Sequence, residues 1–171
     1  MTIEDQKWRG LIRMVENGKV DTISRSQVIK NINLTDSLNH IQLTRIFNKF
    51  GYLGYDRVGK ESSHNYWLLI QHADNYPAFQ DSVLLKMKIE ANKGNASLTD
   101  YAYLTDRVKV NTGQLQIYGT QMKLNDTKTS YIIKPTIDPE NLNERRKSVG
   151  LHPIEDYIKL MNDRYNGTLK K

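Results

Sequence analysis

In LIQHADNYPAFQ, residues 69–80, His72 and Asp74 stand two residues apart at the end of an apolar run, just ahead of a tyrosine and a proline. Histidine titrates near neutral pH without large perturbation, so His72 is the first candidate for a general acid or base, oriented by Asp74 or Asp106. The competing reading is a histidine that bonds the last carbonyls of a helix and pairs with Asp74. Gln80 closes the same stretch and is a candidate for holding a substrate.

Asp106 and Arg107 are adjacent in AYLTDRV, residues 102–108, and both continue apolar stripes. Charged groups on such stripes are costly unless paired or hydrogen-bonded, so each should meet a partner. They read either as catalytic companions of His72 or as a structural ion pair that clamps a hairpin. In QLQIYGTQ, residues 114–121, strand alternation sends Gln116, Tyr118 and Thr120 to one face, while Leu115 and Ile117 take the other. Amide, phenol and hydroxyl groups together suit the orientation of a polar ligand, with Gln121 beside them. Arg145, Arg146 and Lys147 form a basic cluster in ERRKSVGL; Arg146 with Arg107 could receive an anionic group, although such a run also simply complements a helix C-terminus.

Together these residues suit hydrolysis or group transfer on a small polar or anionic ligand. Three rival classes follow: an enzyme, a non-enzymatic ligand- or protein-binding module whose polar groups form a structural network, and a nucleic-acid binder. No nucleophile elbow, phosphate loop or dinucleotide glycine pattern narrows the reaction. His72 and Asp74 lack a third ligand at a recognisable spacing, and His40, His64 and His152 are distant in sequence, so neither metal nor cofactor is expected.

Composition bounds what must position these groups. The 171 residues are 38% hydrophobic, which predicts one domain with a single core. Lys and Arg number 25 against 19 Asp and Glu, a net charge of +6, yet the basic residues are scattered among acidic ones, which argues against nucleic acid. The absence of cysteine removes disulfides, thiolate nucleophiles and thiolate metal sites. No apolar stretch predicts a membrane span, and MTIEDQKWRG lacks a signal-peptide pattern. The chain reads as soluble, either cytoplasmic or the trimmed form of an exported protein, with its oligomeric state open.

The pattern predicts a mainly α fold: a helical bundle over residues 1–113, one late β-hairpin over 114–135 and C-terminal helices over 138–166. Thr2 and Asp5 stand at capping-box spacing ahead of a helix to Glu16, with Ile3, Trp8, Leu11, Ile12 and Val15 on its apolar face. Residues 19–34 give mixed signals, with Ser24 or Ser26 able to cap a short helix. Thr35 caps a helix ending at Gly51, GYLGYDRVGKE reads as a loop, Ser62 or Ser63 opens the His72 helix, and Pro77 starts the next. SLTD, from Ser97 to Asp100, is a second capping box, and Gly113 closes its helix. Gly119 marks a bulge or a close backbone approach. Asp138 with Pro139 opens a short helix that Gly150 stops, Pro153 starts the last one, and NGTLKK reads as a frayed end.

The ordered set QHAD, FQ, AYLTDRV, G and Q leading into YGTQ, DP and ERRKSVGL resembles an uncharacterised bacterial family, a domain of unknown function. The resemblance covers roughly residues 50–160, and more loosely the front, where EDQKWR and DSLN are similar to that family's DQ-x-x-R and D-x-x-N elements. YLGYDRVG departs from the Gly-Trp-Pro turn frequent in relatives. The resemblance implies no established activity. It implies a polar signature that falls here on Gln6, Arg9, Asp36, Asn39, His72, Asp74, Gln80, Asp106, Arg107, Gln116, Tyr118, Gln121, Asp138 and Arg146, and membership of a group in which many chains look exported.

Overall fold

The computed structural model describes residues 1–167 and shows a mainly α chain with a late β-hairpin, as the pattern predicts. Residues 168–171, on which most of the frayed-end expectation falls, lie outside the described residues. The chain divides into two compact units, Met1–Lys86 and Met87 onward.

The first unit contains α1 (Thr2–Glu16), α2 (Arg25–Phe50), α3 (Tyr55–Gln71) and the start of α4 (Pro77–Asn92). The first three helices pack on one another around Val28, Leu43, Trp67, Leu69 and Ile70. The capping box expected at Thr2 and Asp5 does not form: Met1 is the N-cap, with no side-chain cap bond. Asp5 is buried instead, while Ile3 is 87% exposed. The inward stripe therefore runs through Asp5, Trp8, Ile12 and Val15 at helical spacing, with a carboxylate in a core position.

Ser24 caps α2 by accepting a hydrogen bond from the Gln27 amide, and the helix continues without a break through Thr35 to Phe50. Thr35 is thus an interior residue, and the expected short helix and its successor are one. Gly51 ends α2 at φ 71°, the left-handed region where glycine is favoured. The segment read as a loop is partly helical: α3 begins at Tyr55, and Gly59, at φ 75° and ψ 167°, interrupts it.

The second unit holds the rest of α4, α5 (Leu98–Asn111), strands β1 (Met122–Leu124) and β2 (Tyr131–Ile133), a 3-10 turn Pro139–Asn141, α6 (Leu142–Ser148) and α7 (Ile154–Tyr165). Ser97 caps α5 through the Asp100 amide, as its spacing predicts. The antiparallel register pairs Met122 with Ile133 and Leu124 with Tyr131. The hairpin is shorter than expected. Residues 114–121 form no strand beyond a single parallel bridge from Gln116 to Thr136, so the predicted alternation of Gln116, Tyr118 and Thr120 does not apply. Asn162 of α7 bonds both backbone groups of Tyr131 and holds β2 against that helix.

Gly119 makes the close approach its position predicts. It has φ 68°, and a Cβ there would lie 3.2 Å from Ile154 Cδ1 and 3.3 Å from Leu142 Cδ2. Gly119→Ala is expected to cost about 1–2 kcal/mol, mostly as backbone strain, measured by urea denaturation.

Candidate functional site

Each unit contains one dense polar centre. In the first, α1 supplies Asp5, Gln6 and Arg9, α2 supplies Asp36, and the turn after α3 supplies His72. Asp5 is its hub. His72 Nδ1 lies 3.0 Å from both carboxylate oxygens, Arg9 Nε donates to Oδ1 at 3.0 Å, and Gln6 Nε2 donates to Oδ2 at 2.7 Å. Arg9 Nη2 then donates to both oxygens of Asp36, at 2.7 and 2.9 Å. The spacing Asp5 to Arg9 is one helical turn, which places both side chains on one face of α1.

The side chains of Asp5 and His72 are 1% and 10% exposed. Burial pushes the Asp5 carboxyl up, but the hydrogen bond and charge of His72 and the charge of Arg9 outweigh it, leaving Asp5 below the ordinary carboxylate range. Asp36 is displaced the other way. Burial raises it, the Arg9 guanidinium only partly offsets that, and the Asp5 charge adds to the rise.

These opposite displacements predict a two-signed acid response. Asp5, depressed in the fold, contributes stability that is present above its ordinary value near 3.8 and lost as pH falls through its folded value. Asp36, raised in the fold, binds its proton more readily when folded, so stability is gained as pH falls through its folded value, above 3.8. Urea denaturation across acid pH is expected to show Asp36→Asn removing the gain and Asp5→Asn removing the later loss.

The other predicted residues of this unit surround the turn. Asp74 follows His72 by two residues and is half-buried. Gln80 on α4 is fully buried, and its Nε2 donates to the Ile70 carbonyl at 3.0 Å and to the Gln71 carbonyl at 3.4 Å. Tyr76 lies flat on the His40 ring, with centroids 3.5 Å apart. An open cavity of about 320 Å³ has Thr2, three residues before Asp5, and Leu69, three before His72, in its wall, with Asn65 and Tyr66.

The second centre is built around Asp106, which is fully buried on α5. Oδ1 accepts from the amides of Ile117 at 2.7 Å and Tyr118 at 3.0 Å; Oδ2 accepts from the Thr120 amide at 2.9 Å and hydroxyl at 3.0 Å, with Tyr118 also 3.2 Å away. The segment read as a strand is thus a loop wrapped around a carboxylate. Gln116 ties its two ends: Nε2 donates to the carbonyls of Gln121 and Lys134, and Oε1 accepts from the Gln121 amide. Gln121 Nε2 donates to the Thr120 hydroxyl.

Arg146 on α6 is 1% exposed. Its Nε donates to the His152 carbonyl at 2.7 Å and Nη1 to the Tyr118 carbonyl at 2.6 Å, with the guanidinium over the Tyr157 ring. Arg145 reaches the carbonyls of Ile117, Ile137 and Asp138. Arg107 lies beside Asp106 and is half-buried, as is Tyr118, whose phenol is raised chiefly by burial.

The structure therefore gathers Asp106, Gln116, Tyr118, Gln121 and Arg146 in one unit, and His72, Asp74 and Gln80 in the other. The carboxylate that meets His72 is Asp5, not Asp74 or Asp106. Asp5 was missed because its spacing from Thr2 fits a capping box. The signal that could have found it is its shared stripe with Trp8 and Ile12: an acid in a core position needs a partner.

Among the described residues no group of three or more metal-ligating side chains converges, and no helix is long and apolar enough to cross a membrane. No curated protein and no solved structure matches the chain. One family model does, over residues 1–170, and its span of nearly the whole sequence shows that the chain belongs to the family of unknown function DUF6624.

Proposed function

We propose that the first unit carries a general-base site in which His72 moves the proton. The single observation behind this reading is the Asp5 carboxylate lying 3.0 Å, through both oxygens, from Nδ1 of His72. A carboxylate there holds the ring and selects the tautomer with its proton on Nδ1, which leaves the lone pair on Nε2. Among the described residues, the hydrogen bonds of this ring all fall on Nδ1. Arg9 and Asp36 fix Asp5 in turn, so the imidazole rests on a chain of charge-assisted bonds.

The reaction class is hydrolysis or group transfer on a small polar substrate. Nε2 takes a proton from water or a hydroxyl as that oxygen bonds to an acyl or phosphoryl centre, the bond to the leaving group breaks, and the imidazolium returns the proton to the departing oxygen. Arg146, predicted to hold an anionic group, donates instead to backbone carbonyls and is sealed from solvent.

The test is turnover of a panel of activated esters and phosphate esters by the full chain. His72→Gln and Asp5→Asn are expected to lower any turnover by about 10²-fold or more with the helical circular dichroism retained. Equal rates in wild type and His72→Gln would end the reading.

The second centre supports a different role. Asp106 has its acceptor positions filled by donors of one loop, and a general base would have to surrender them. We read Asp106, Gln116 and Arg146 as a network that shapes the loop 114–121, in the sense of a binding module with a structural polar core.

A further inference from the structure

His72 sits at the C-cap of α3, followed by a turn that leads to α4 at Pro77. Among the contacts on this segment are Asp5 on His72, the stacked His40 under Tyr76, and Gln80. The first two are made by side chains of the turn itself. The third comes from outside it, from a residue one turn into α4.

A helix end leaves its last carbonyls without intrahelical donors. At the end of α3 the Ile70 carbonyl accepts from the Ala73 amide at 3.0 Å, and Gln80 Nε2 reaches the carbonyls of both Ile70 and Gln71, at 3.0 and 3.4 Å. Gln80 is fully buried, and its Oε1 is buried with no hydrogen-bond partner among the described residues. A buried amide oxygen without a donor is destabilising, so for packing alone methionine, of similar length and volume, would serve better. What glutamine adds at this position is a second donor for Ile70 and a donor for Gln71.

We propose that Gln80 is a positioning residue for His72: its amide fixes the end of α3 so that the imidazole turns Nδ1 to Asp5 and keeps Nε2 for the reaction. This rests on the reading of His72 as the base. The bond constrains the backbone one and two residues before the ring, where a small rotation displaces the imidazole from Asp5. Displacements of about 1 Å at a reacting group can cost on the order of 10²-fold in rate.

The test uses the full chain with Gln80→Met, and with Val83→Ala as a control that removes buried volume from the same helix. Long-range nitrogen-proton spectra of the histidine rings give the tautomer of His72, and acylation by diethylpyrocarbonate, located by mass spectrometry, gives the reactivity of Nε2. Gln80→Met is expected to mix the His72 tautomers and slow its acylation about tenfold. Val83→Ala is expected to lose at least as much thermal stability and to leave both readouts at their wild-type values. Wild-type readouts in Gln80→Met, or equal disturbance by Val83→Ala, would overturn the proposal.

Should Gln80→Met not fold, Gln80→Asn keeps an amide one methylene short of the carbonyls and is judged by the same two readouts. The two readings fail separately. Turnover that survives His72→Gln removes the base, whereas an undisturbed tautomer in Gln80→Met removes only the positioning role.

Discussion

Asp106→Asn is expected to lower the stability of the chain by about 3–5 kcal/mol, the range for removal of one partner of a buried charge network. The substitution keeps the volume but turns one acceptor oxygen into a donor. That nitrogen then faces either the amides of Ile117 and Tyr118 or the amide and hydroxyl of Thr120, donor against donor. Relaxing the clash means opening the loop 114–121, which also frees the carbonyls of Tyr118 and Gly119 from Arg146. Thermal melting is expected to show a fall of about 10 °C, since each kcal/mol moves a chain of this size by a few degrees. A loss below about 1 kcal/mol would mean that solvent already competes for the carboxylate.

The second large effect is at Asp5. Asp5→Asn removes the charge that His72 and Arg9 share and leaves Asp36 as the carboxylate bonded to Arg9. A stability loss of about 2–4 kcal/mol is expected from the two charge-assisted bonds, read by urea denaturation. A neutral amide can accept from Nδ1–H or donate to an unprotonated Nδ1, so the tautomer of His72 is no longer specified. Turnover is therefore expected to fall further than stability alone explains, by about 10²-fold or more under conditions where the variant is fully folded. Asp5→Asn and His72→Gln should also be non-additive, because they act on one proton-transfer unit; multiplying effects would place Asp5 outside it.

Most helices were legible because their ends are written locally. Ser97, Pro77, Gly51 and Gly113 mark boundaries through caps and backbone geometry, and the structure places ends beside them. Thr35 shows the limit of that code. It is a competent cap by residue type, yet α2 passes through it, because Ser24 already supplies a start and nothing between them stops a helix. The polar centres were only half legible. The types at His72 and Asp106 announced buried polarity but not which partner each would find, while Gln116 and Arg146, read as ligand-facing groups, are buried and bonded to backbone carbonyls. Gln116, Tyr118 and Thr120 alternate as a strand does, and the pattern holds only if a neighbouring strand completes it. The Asp106 carboxylate offers their amides a better acceptor, and the segment curls around it.

The interruption at Gly59 leaves Tyr55–Val58 as a single turn, tied back to the end of α2 by Arg57 on the Phe50 carbonyl. One turn has little helical stability of its own and can unwind while the longer part of α3 stays wound. The corner is nonetheless joined to the longer part of α3 through Tyr52, which is buried with its ring 5.8 Å from that of Tyr66. A reporter peptide or fluorophore grafted into that corner must therefore leave Tyr52 in place if the imidazole is to keep its seat.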